Sequence, residues 1–185
     1  MRLSGHDWVS EYPNSTSPDD VAEPFRTNLK SFLGALAEAG AQVSIASTLR
    51  PRQRAYLMHF SFLIAAGATD ASMVPTFSGV DIDWIHRDSE GQPDPRATRN
   101  AAREMVTGYA IVYAPALDSR HTQGLAADMD IFWSGNLTIL NAHGRSLVIS
   151  STPRSGGNLQ IQAIGATYGV NKLASDPPHW SADGH

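Results

Sequence analysis

The chain has 185 residues, of which 42% are hydrophobic and 17% charged, values typical of one compact globular domain with one hydrophobic core. The formal net charge of -4 provides no broad basic surface, so we expect neither nucleic acid nor an anionic membrane as a partner. The chain contains no cysteine, which excludes disulfides, thiolate metal sites and a Cys–His nucleophile.

The first half of the chain alternates helical and extended patterns. Residues 1–20 are polar and turn-rich, and they are predicted to form an irregular N-terminal arm. Apolar residues at helical spacing predict a helix over residues 29–36 that ends at Gly40, and a second helix from Pro51 to Gly67. Alternation over residues 42–49 predicts a strand between them.

The second half begins with a long segment, residues 68–96, whose prolines and glycines are typical of a substrate-facing loop. The predicted elements that follow are a helix over 97–109, a loop over 118–124, a strand over 126–132, a hairpin joining 137–139 to 147–149, a helix over 158–168 and a short strand near Trp180. Because helices and strands mix without a regular βαβ repeat, we predict one α+β domain over 1–185, a small antiparallel sheet with flanking helices.

The first chemically informative segment runs from Ser119 to Asp128. Histidine and aspartate are both good ligands for a borderline cation such as zinc, so His121 and Asp128 are candidate ligands. Gly124 permits a tight turn between them. Along the predicted strand, small Ala126 lies on the same face as Asp128 and leaves room for a metal ion.

The second segment is Asp176-Pro177-Pro178-His179-Trp180. A catalytic zinc usually has three protein ligands, and His179 is the candidate for the third. Two prolines make the link to Asp176 stiff, so its carboxylate can lie near the metal and exchange protons with water and a leaving amine. Since no glutamate follows Glu104, Asp176 is the local candidate for a general base.

These two segments resemble the signature of the zinc D-alanyl-D-alanine carboxypeptidases and dipeptidases and the phage L-alanyl-D-glutamate endopeptidases. That signature is Ser-x-His-x-x-Gly-x-Ala-x-Asp, followed later by an acid three residues before His-Trp. The matching residues are Ser119, His121, Gly124, Ala126 and Asp128 in the first part and Asp176, His179 and Trp180 in the second.

The resemblance implies a hedgehog-like α+β fold and a zinc peptidase that cuts bacterial peptidoglycan stem peptides, with the motifs in order over about residues 45–181. It also implies that Arg50, which follows a strand and precedes a helix, stabilises the oxyanion of the scissile peptide. Many members have glutamate at the position of Asp176, which is one methylene shorter.

No secretory signal or long apolar run is evident. We therefore expect a protein made in the cytoplasm without Sec export, which reaches the cell wall after lysis, through a holin or by dedicated secretion. We also expect a monomer. The absence of a recognisable wall-binding domain favours an endolysin-type L-alanyl-D-glutamate endopeptidase. The alternatives are a D,D-carboxypeptidase or D-Ala-D-Ala dipeptidase, and a catalytically idle, zinc-stabilised module that binds peptide.

Several other residues admit two interpretations. Ser119 is interpreted as a turn residue or a partner of a metal ligand rather than as a nucleophile, because no His–Asp relay is assigned to it. Asp130 is either a partner of a metal ligand or a plain strand residue. Asp81 and Asp83 alternate before Trp84 and are interpreted as loop structure rather than as a metal site.

Overall fold

The computed structural model describes residues 1–185, and the chain divides into two compact units. One unit comprises Met1–Pro13 and Pro51–Ser119, and the other comprises Asn14–Arg50 and Arg120–His185. All three candidate ligands belong to the second unit. The expected single domain over 1–185 stays a prediction.

The chain contains four α-helices and eight β-strands, which confirms the α+β class with small antiparallel sheets and flanking helices. The helices are α1 (Phe25–Glu38), α2 (Arg52–Ala66), α3 (Pro95–Gly108) and α4 (Leu159–Thr167). The strands are β1 (Arg2–Leu3), β2 (Gln42–Ser47), β3 (Ile82–Asp83), β4 (Ala126–Phe132), β5 (Leu137–Leu140), β6 (Ser146–Ile149), β7 (Asn171–Lys172) and β8 (His179–Ser181). Short 3-10 helices cover His6–Ser10, Pro18–Asp20 and Ala71–Met73. No helix has the length and apolar character needed to span a membrane.

Local sequence signals set the ends of the predicted helices. At the start of α3 the Asp94 side chain accepts hydrogen bonds from the N–H groups of Arg96 and Ala97, which satisfies donors that the helix leaves without partners. At the end of α2, Gly67 adopts a left-handed conformation with φ 72°, which a residue without Cβ adopts without strain. The four predicted helices and the strand over 126–132 are confirmed.

In the first unit, the N-terminal segment is more regular than the irregular arm expected from its polar sequence. Strand β1 pairs in parallel with β3, with Arg2 opposite Ile82. Trp8 is buried and donates its indole N–H to the Leu3 carbonyl at 3.0 Å. Burial of this one large side chain fixes a segment whose other residues are mostly polar. The predicted loop over 68–96 likewise contains a 3-10 helix and β3.

In the second unit, four antiparallel strands form a sheet in the order β2–β4–β8–β7. Asp128 on the central strand β4 lies opposite Ser47 on β2 and opposite His179 on β8. The β5–β6 hairpin forms a separate two-stranded sheet. The register of β4 with β8 therefore sets two of the candidate ligands side by side.

The hydrophobic core of the second unit fixes which face of β4 carries Asp128. Met129 and Ile131 alternate with Asp128 and are buried in the same core as Phe32 of α1 and Trp180 of β8. Burying a side chain of this size contributes roughly 1.5–3 kcal/mol. A one-residue register shift would exchange the two faces of the strand, moving the carboxylate into the core, so packing opposes that shift.

Candidate metal centre

Three side chains with metal-binding groups come together in the second unit. His121 lies in the turn before β4, Asp128 lies on β4, and His179 begins β8. Their candidate ligand atoms all lie within 4.8 Å of one another. Both histidines are almost fully buried, and Asp128 is partly exposed. The structure thus brings together the three residues that the sequence predicts as ligands, while their ligand role stays a prediction.

Gly124 shapes the turn that leads from His121 into β4. Its φ is +69°, and a Cβ built on it would lie 2.9 Å from the backbone nitrogen of Ala22. The Ala22 N–H donates to the Gly124 carbonyl at 2.8 Å, so the two backbones are in direct contact. Glycine is therefore required here for its left-handed conformation and for this close approach.

A backbone carbonyl orients the imidazole of His121. Its Nδ1 lies 2.7 Å from the carbonyl oxygen of Thr48. Because a carbonyl only accepts hydrogen bonds, Nδ1 carries the proton and the lone pair of Nε2 is directed towards Asp128 and His179. Thr48 is fixed in turn, since its N–H donates to Ser15 at 2.7 Å and its hydroxyl donates to Ser17 at 2.9 Å.

A second main-chain oxygen orients His179, and it does so through Nε2 rather than through Nδ1 as in His121. Its Nε2 lies 3.1 Å from the main-chain oxygen of His185, so Nε2 is the donor and Nδ1 carries the lone pair. The turn that supplies this oxygen is held by Asp183, whose carboxylate accepts from Arg120 Nε at 3.1 Å and Nη2 at 2.5 Å. Asp183 also accepts from the His185 N–H at 3.3 Å.

The three ligand atoms form a nearly equilateral triangle. His121 Nε2 lies 3.1 Å from Asp128 Oδ1 and 3.2 Å from His179 Nδ1, and the third edge, from His179 Nδ1 to Asp128 Oδ1, is 3.1 Å. Ligands at roughly 2.0–2.1 Å from a tetrahedral zinc ion are about 3.3–3.4 Å apart. The observed triangle needs only a slight expansion to reach that geometry. Two nitrogen donors and one carboxylate oxygen are also the donor set of many catalytic zinc sites, so these residues fit zinc.

The pKa values of Asp128 and His179 are shifted because these acceptor atoms lie so close together. Burial opposes ionisation of Asp128, but the imidazoles of His121 and His179, which donate to the carboxylate when the nitrogens that face it are protonated, outweigh burial and hold the pKa of the carboxyl well below its usual range. Burial also lowers the pKa of His179, yet its hydrogen bond and charge interaction with Asp128 prevail and raise it overall. Without a metal, a proton on His179 therefore lies among the acceptor atoms of His121, Asp128 and His179, which would otherwise repel one another.

Asp176 is exposed at the start of the turn that precedes His179. Its carbonyl accepts the His179 N–H at 3.0 Å across the two prolines, as in a β-turn. The negative charge of Asp176 is among the interactions that raise the pKa of His179. The carboxylate of the candidate base is thus within electrostatic range of a candidate ligand.

Arg50 follows β2 and is joined directly to the turn that carries His121. Its backbone N–H donates to the His121 carbonyl at 3.1 Å, and its side chain is half-buried. The predicted position after a strand and before a helix is therefore correct, since α2 begins at Arg52. Its role towards an oxyanion stays a prediction.

Other residues named from the sequence lie apart from the three ligand atoms. Asp130 is exposed and makes no hydrogen bond to the candidate ligands, which favours the plain strand interpretation. Asp83 ends strand β3 rather than lying in a loop, and its carboxylate accepts the N–H of nearby Ile85 at 2.9 Å. Trp180 lies in the core, 5.7 Å from Phe32 between ring centroids, because it alternates with His179 along β8.

Sequence reasoning missed the residues that orient the ligands through main-chain atoms. Thr48 and His185 act through backbone oxygens, which leave no mark on residue type. Arg120 and Asp183 are separated by 63 positions, and no spacing rule links them. The adjacency of Arg120 to His121 was the one available signal.

No protein-family model matches the chain, and no curated protein matches it at a significant level. Among solved structures, the chain is similar to a mutant of the vancomycin resistance D,D-pentapeptidase VanY, from a VanB-type resistance cassette, in complex with Zn(II). The two are 14% identical, the match covers 93% of this chain and 80% of that chain, and the TM-score is 0.38. This similarity is too distant to assign an activity to the chain.

Proposed function

We propose that the chain is a zinc-dependent peptidase that hydrolyses a peptide bond in bacterial peptidoglycan stem peptides. In this proposal His121, Asp128 and His179 hold the metal, Asp176 is the general base and Arg50 stabilises the oxyanion. The expected bond is L-alanyl-D-glutamate, and a D-alanyl-D-alanine bond is the alternative.

The triangle of acceptor atoms is the observation that supports the proposal most strongly. The partners Thr48 and His185 leave unprotonated nitrogens of His121 and His179 that each lie 3.1 Å from Asp128 Oδ1 and 3.2 Å from one another. Three acceptors at this separation need a cation among them, either a proton or a metal ion. Three protein ligands also leave one tetrahedral position open for water or substrate.

A zinc ion in such a site supplies a Lewis acid that polarises a carbonyl and makes water a stronger acid. The Asp176 carboxylate then accepts a proton from the attacking water and delivers it to the nitrogen of the leaving amine. The Arg50 guanidinium, which stays protonated at any working pH, donates to the oxygen of the scissile carbonyl as negative charge develops there. Each role uses a side chain whose backbone is fixed beside a ligand residue.

The substrate class follows from the sequence motif rather than from the metal alone. A His–Asp–His zinc site is compatible with several hydrolytic reactions. The segment from Ser119 to Asp128, followed along the chain by the segment from Asp176 to Trp180, resembles the motifs of the peptidoglycan peptidases. The choice of a stem peptide as substrate therefore rests on that resemblance and requires a direct test.

The test is mass spectrometry of the products released from purified peptidoglycan by zinc-loaded protein, with a chelated sample and an Asp128→Asn variant as controls. New fragments with N-terminal D-glutamate that are absent from both controls would support the L-alanyl-D-glutamate endopeptidase. Released D-alanine or its dipeptide would select the D,D-peptidase instead. No product from protein with confirmed bound zinc would overturn the enzymatic proposal and favour a zinc-stabilised peptide-binding module.

A further inference from the structure

The side chain of Lys172, at the end of β7, reaches the main chain of residues 173–179, which we call the 173–179 loop. Its Nζ lies 2.5 Å from the carbonyl oxygen of Leu173, 2.5 Å from that of Asp176 and 3.1 Å from that of His179. An ammonium group has three N–H donors and no acceptor. Each of the three donors therefore has one carbonyl partner within this loop.

The same three carbonyl oxygens also accept hydrogen bonds from main-chain N–H groups within the loop. Asp176 N–H donates to Leu173 at 3.3 Å, His179 N–H donates to Asp176 at 3.0 Å, and Leu173 N–H donates to His179 at 3.1 Å. A carbonyl oxygen has two lone pairs, so each accepts one backbone bond and one bond from the ammonium. The Lys172 ammonium thus lies at the centre of a closed ring of hydrogen bonds.

The surroundings of Lys172 favour a structural role over a chemical one. Its Nζ lies 5.8 Å from the Trp180 ring centroid, and burial lowers its pKa while the charges of Asp176 and Asp128 oppose that change. A lysine that acts as a base or ligand must first lose a proton. Here such a loss would break one of three charge-assisted hydrogen bonds, which are stronger than bonds between neutral groups.

We infer that Lys172 is a positioning residue whose ammonium holds the 173–179 loop in the conformation that presents Asp176 and His179 to the metal centre. For the role of Asp176 this inference rests on the proposed function. The ring of hydrogen bonds does not depend on that function, so the loop and the activity are tested separately.

The first experiment uses the unsubstituted protein. The chain has one other lysine, Lys30, which pairs with Asp19 at an exposed site, and a Lys30→Met variant assigns the two side-chain signals. We expect the ¹⁵Nζ ammonium signal of Lys172 to show slow proton exchange with water, whereas that of Lys30 exchanges rapidly. Equal, rapid exchange at both lysines would overturn the inference, and this measurement needs no variant at Lys172.

The second experiment compares Lys172→Met, which keeps the aliphatic stem, with Lys30→Met as the matched control. Loss of a hydrogen bond to a charged group should accelerate amide exchange at Leu173, Asp176 and His179 by about tenfold or more. We expect kcat on stem peptide to fall about ten- to hundredfold, with KM little changed and one zinc retained.

Unchanged amide protection and unchanged kcat in Lys172→Met would overturn the positioning role. A reduction of kcat and a rise in KM together, with exchange accelerated throughout the unit, would also overturn it, because that pattern indicates general destabilisation. If the unsubstituted protein hydrolyses no stem peptide, the proposed function fails. Amide exchange at the three positions still decides the inference about Lys172.

Discussion

The carbonyl oxygen of Thr48 lies 2.7 Å from Nδ1 of His121, so the backbone of one segment sets the tautomer of a candidate metal ligand on another. Thr48 is fully buried and is itself hydrogen-bonded to Ser15 and Ser17. A histidine held in this way keeps its ring orientation before any metal binds. Such preorganisation raises metal affinity because little entropy is lost on binding.

Replacing a candidate ligand should remove the metal. Loss of the hydrogen-bond partner of a metal ligand lowers metal affinity about 10- to 100-fold. His121→Ala removes the ligand itself, so we expect zinc affinity to fall by more than that. Competition against a fluorescent chelator measures this. The control is His143→Ala, at an exposed position in the β5–β6 turn, which should bind zinc normally. Unchanged zinc affinity in His121→Ala would refute the ligand role.

Replacing the candidate base should separate catalysis from metal binding. Asp176→Asn keeps the shape of the side chain but cannot accept the proton, so kcat on stem peptide should fall about 10²- to 10⁴-fold. Zinc content should stay at one ion per chain. Asp130→Asn, also an exposed carboxylate of the second unit, is the matched control. Loss of zinc in Asp176→Asn would show that Asp176 acts on the metal site rather than on the proton.

Arg50 should contribute through its donor groups. For Arg50→Ala we expect kcat to fall about 10²- to 10³-fold, the usual cost of removing an oxyanion donor. Arg50→Lys keeps the charge but lacks the planar fork, so we expect it to restore only part of the activity. Steady-state kinetics measures both variants against Arg145→Ala on the exposed hairpin. Full activity of Arg50→Ala would remove Arg50 from the mechanism.

The local sequence predicted those parts of the site that depend on residue type and short spacing. Gly124 predicted the turn, and the pattern over residues 126–132 predicted the strand with Ala126 and Asp128 on one face, because backbone freedom and burial act over a few residues. The sequence also predicted His179 as a third ligand, and β8 brings it beside Asp128.

Other parts depend on contacts that residue types do not encode. The pairing of the two-residue strands β1 and β3 is too short for any periodic pattern. The oxygens that orient His121 and His179, and those that surround Lys172, belong to the main chain. Every residue carries such an oxygen, so only the fold selects which of them is used.

Gly124 should tolerate alanine poorly, and Gly135 provides a matched control. The two glycines have nearly the same φ, +69° and +68°, but only Gly124 lies against a neighbouring backbone. Alanine at either position costs roughly 1–2 kcal/mol for the left-handed conformation. Gly124→Ala should cost about 1–3 kcal/mol more because of the contact with Ala22. Urea unfolding of both variants measures the difference, and equal losses would contradict the close approach.

Zinc affinity should depend on pH through His179. Its pKa is raised by Asp128 above the usual value of about 6.5, and a protonated nitrogen cannot bind the metal. Affinity should therefore fall as pH falls through that raised pKa. Asp128, whose pKa is lowered, stays ionised over the same range. Calorimetric titration between pH 5 and 8 measures the slope, and a pH-independent affinity would contradict the assignment.

The stability of the metal-free protein should fall as pH rises, whereas zinc affinity should rise. A raised folded-state pKa means that His179 contributes stability that is fully present below about pH 6.5 and is lost as pH rises through the raised value. The contribution of Asp128 is present above about pH 4 and is lost as pH falls below it. Urea unfolding with a chelator should therefore find lower stability at pH 8 than at pH 6, and added zinc should reverse that order.

The most direct test of the central claim is the anomalous difference density at the zinc absorption edge in a crystal of the zinc-loaded protein. The account predicts one strong peak per chain within about 2.0–2.2 Å of Nε2 of His121, the Asp128 carboxylate and Nδ1 of His179. A peak elsewhere, or no peak among these three side chains, would contradict the proposed metal centre and the peptidase mechanism that depends on it.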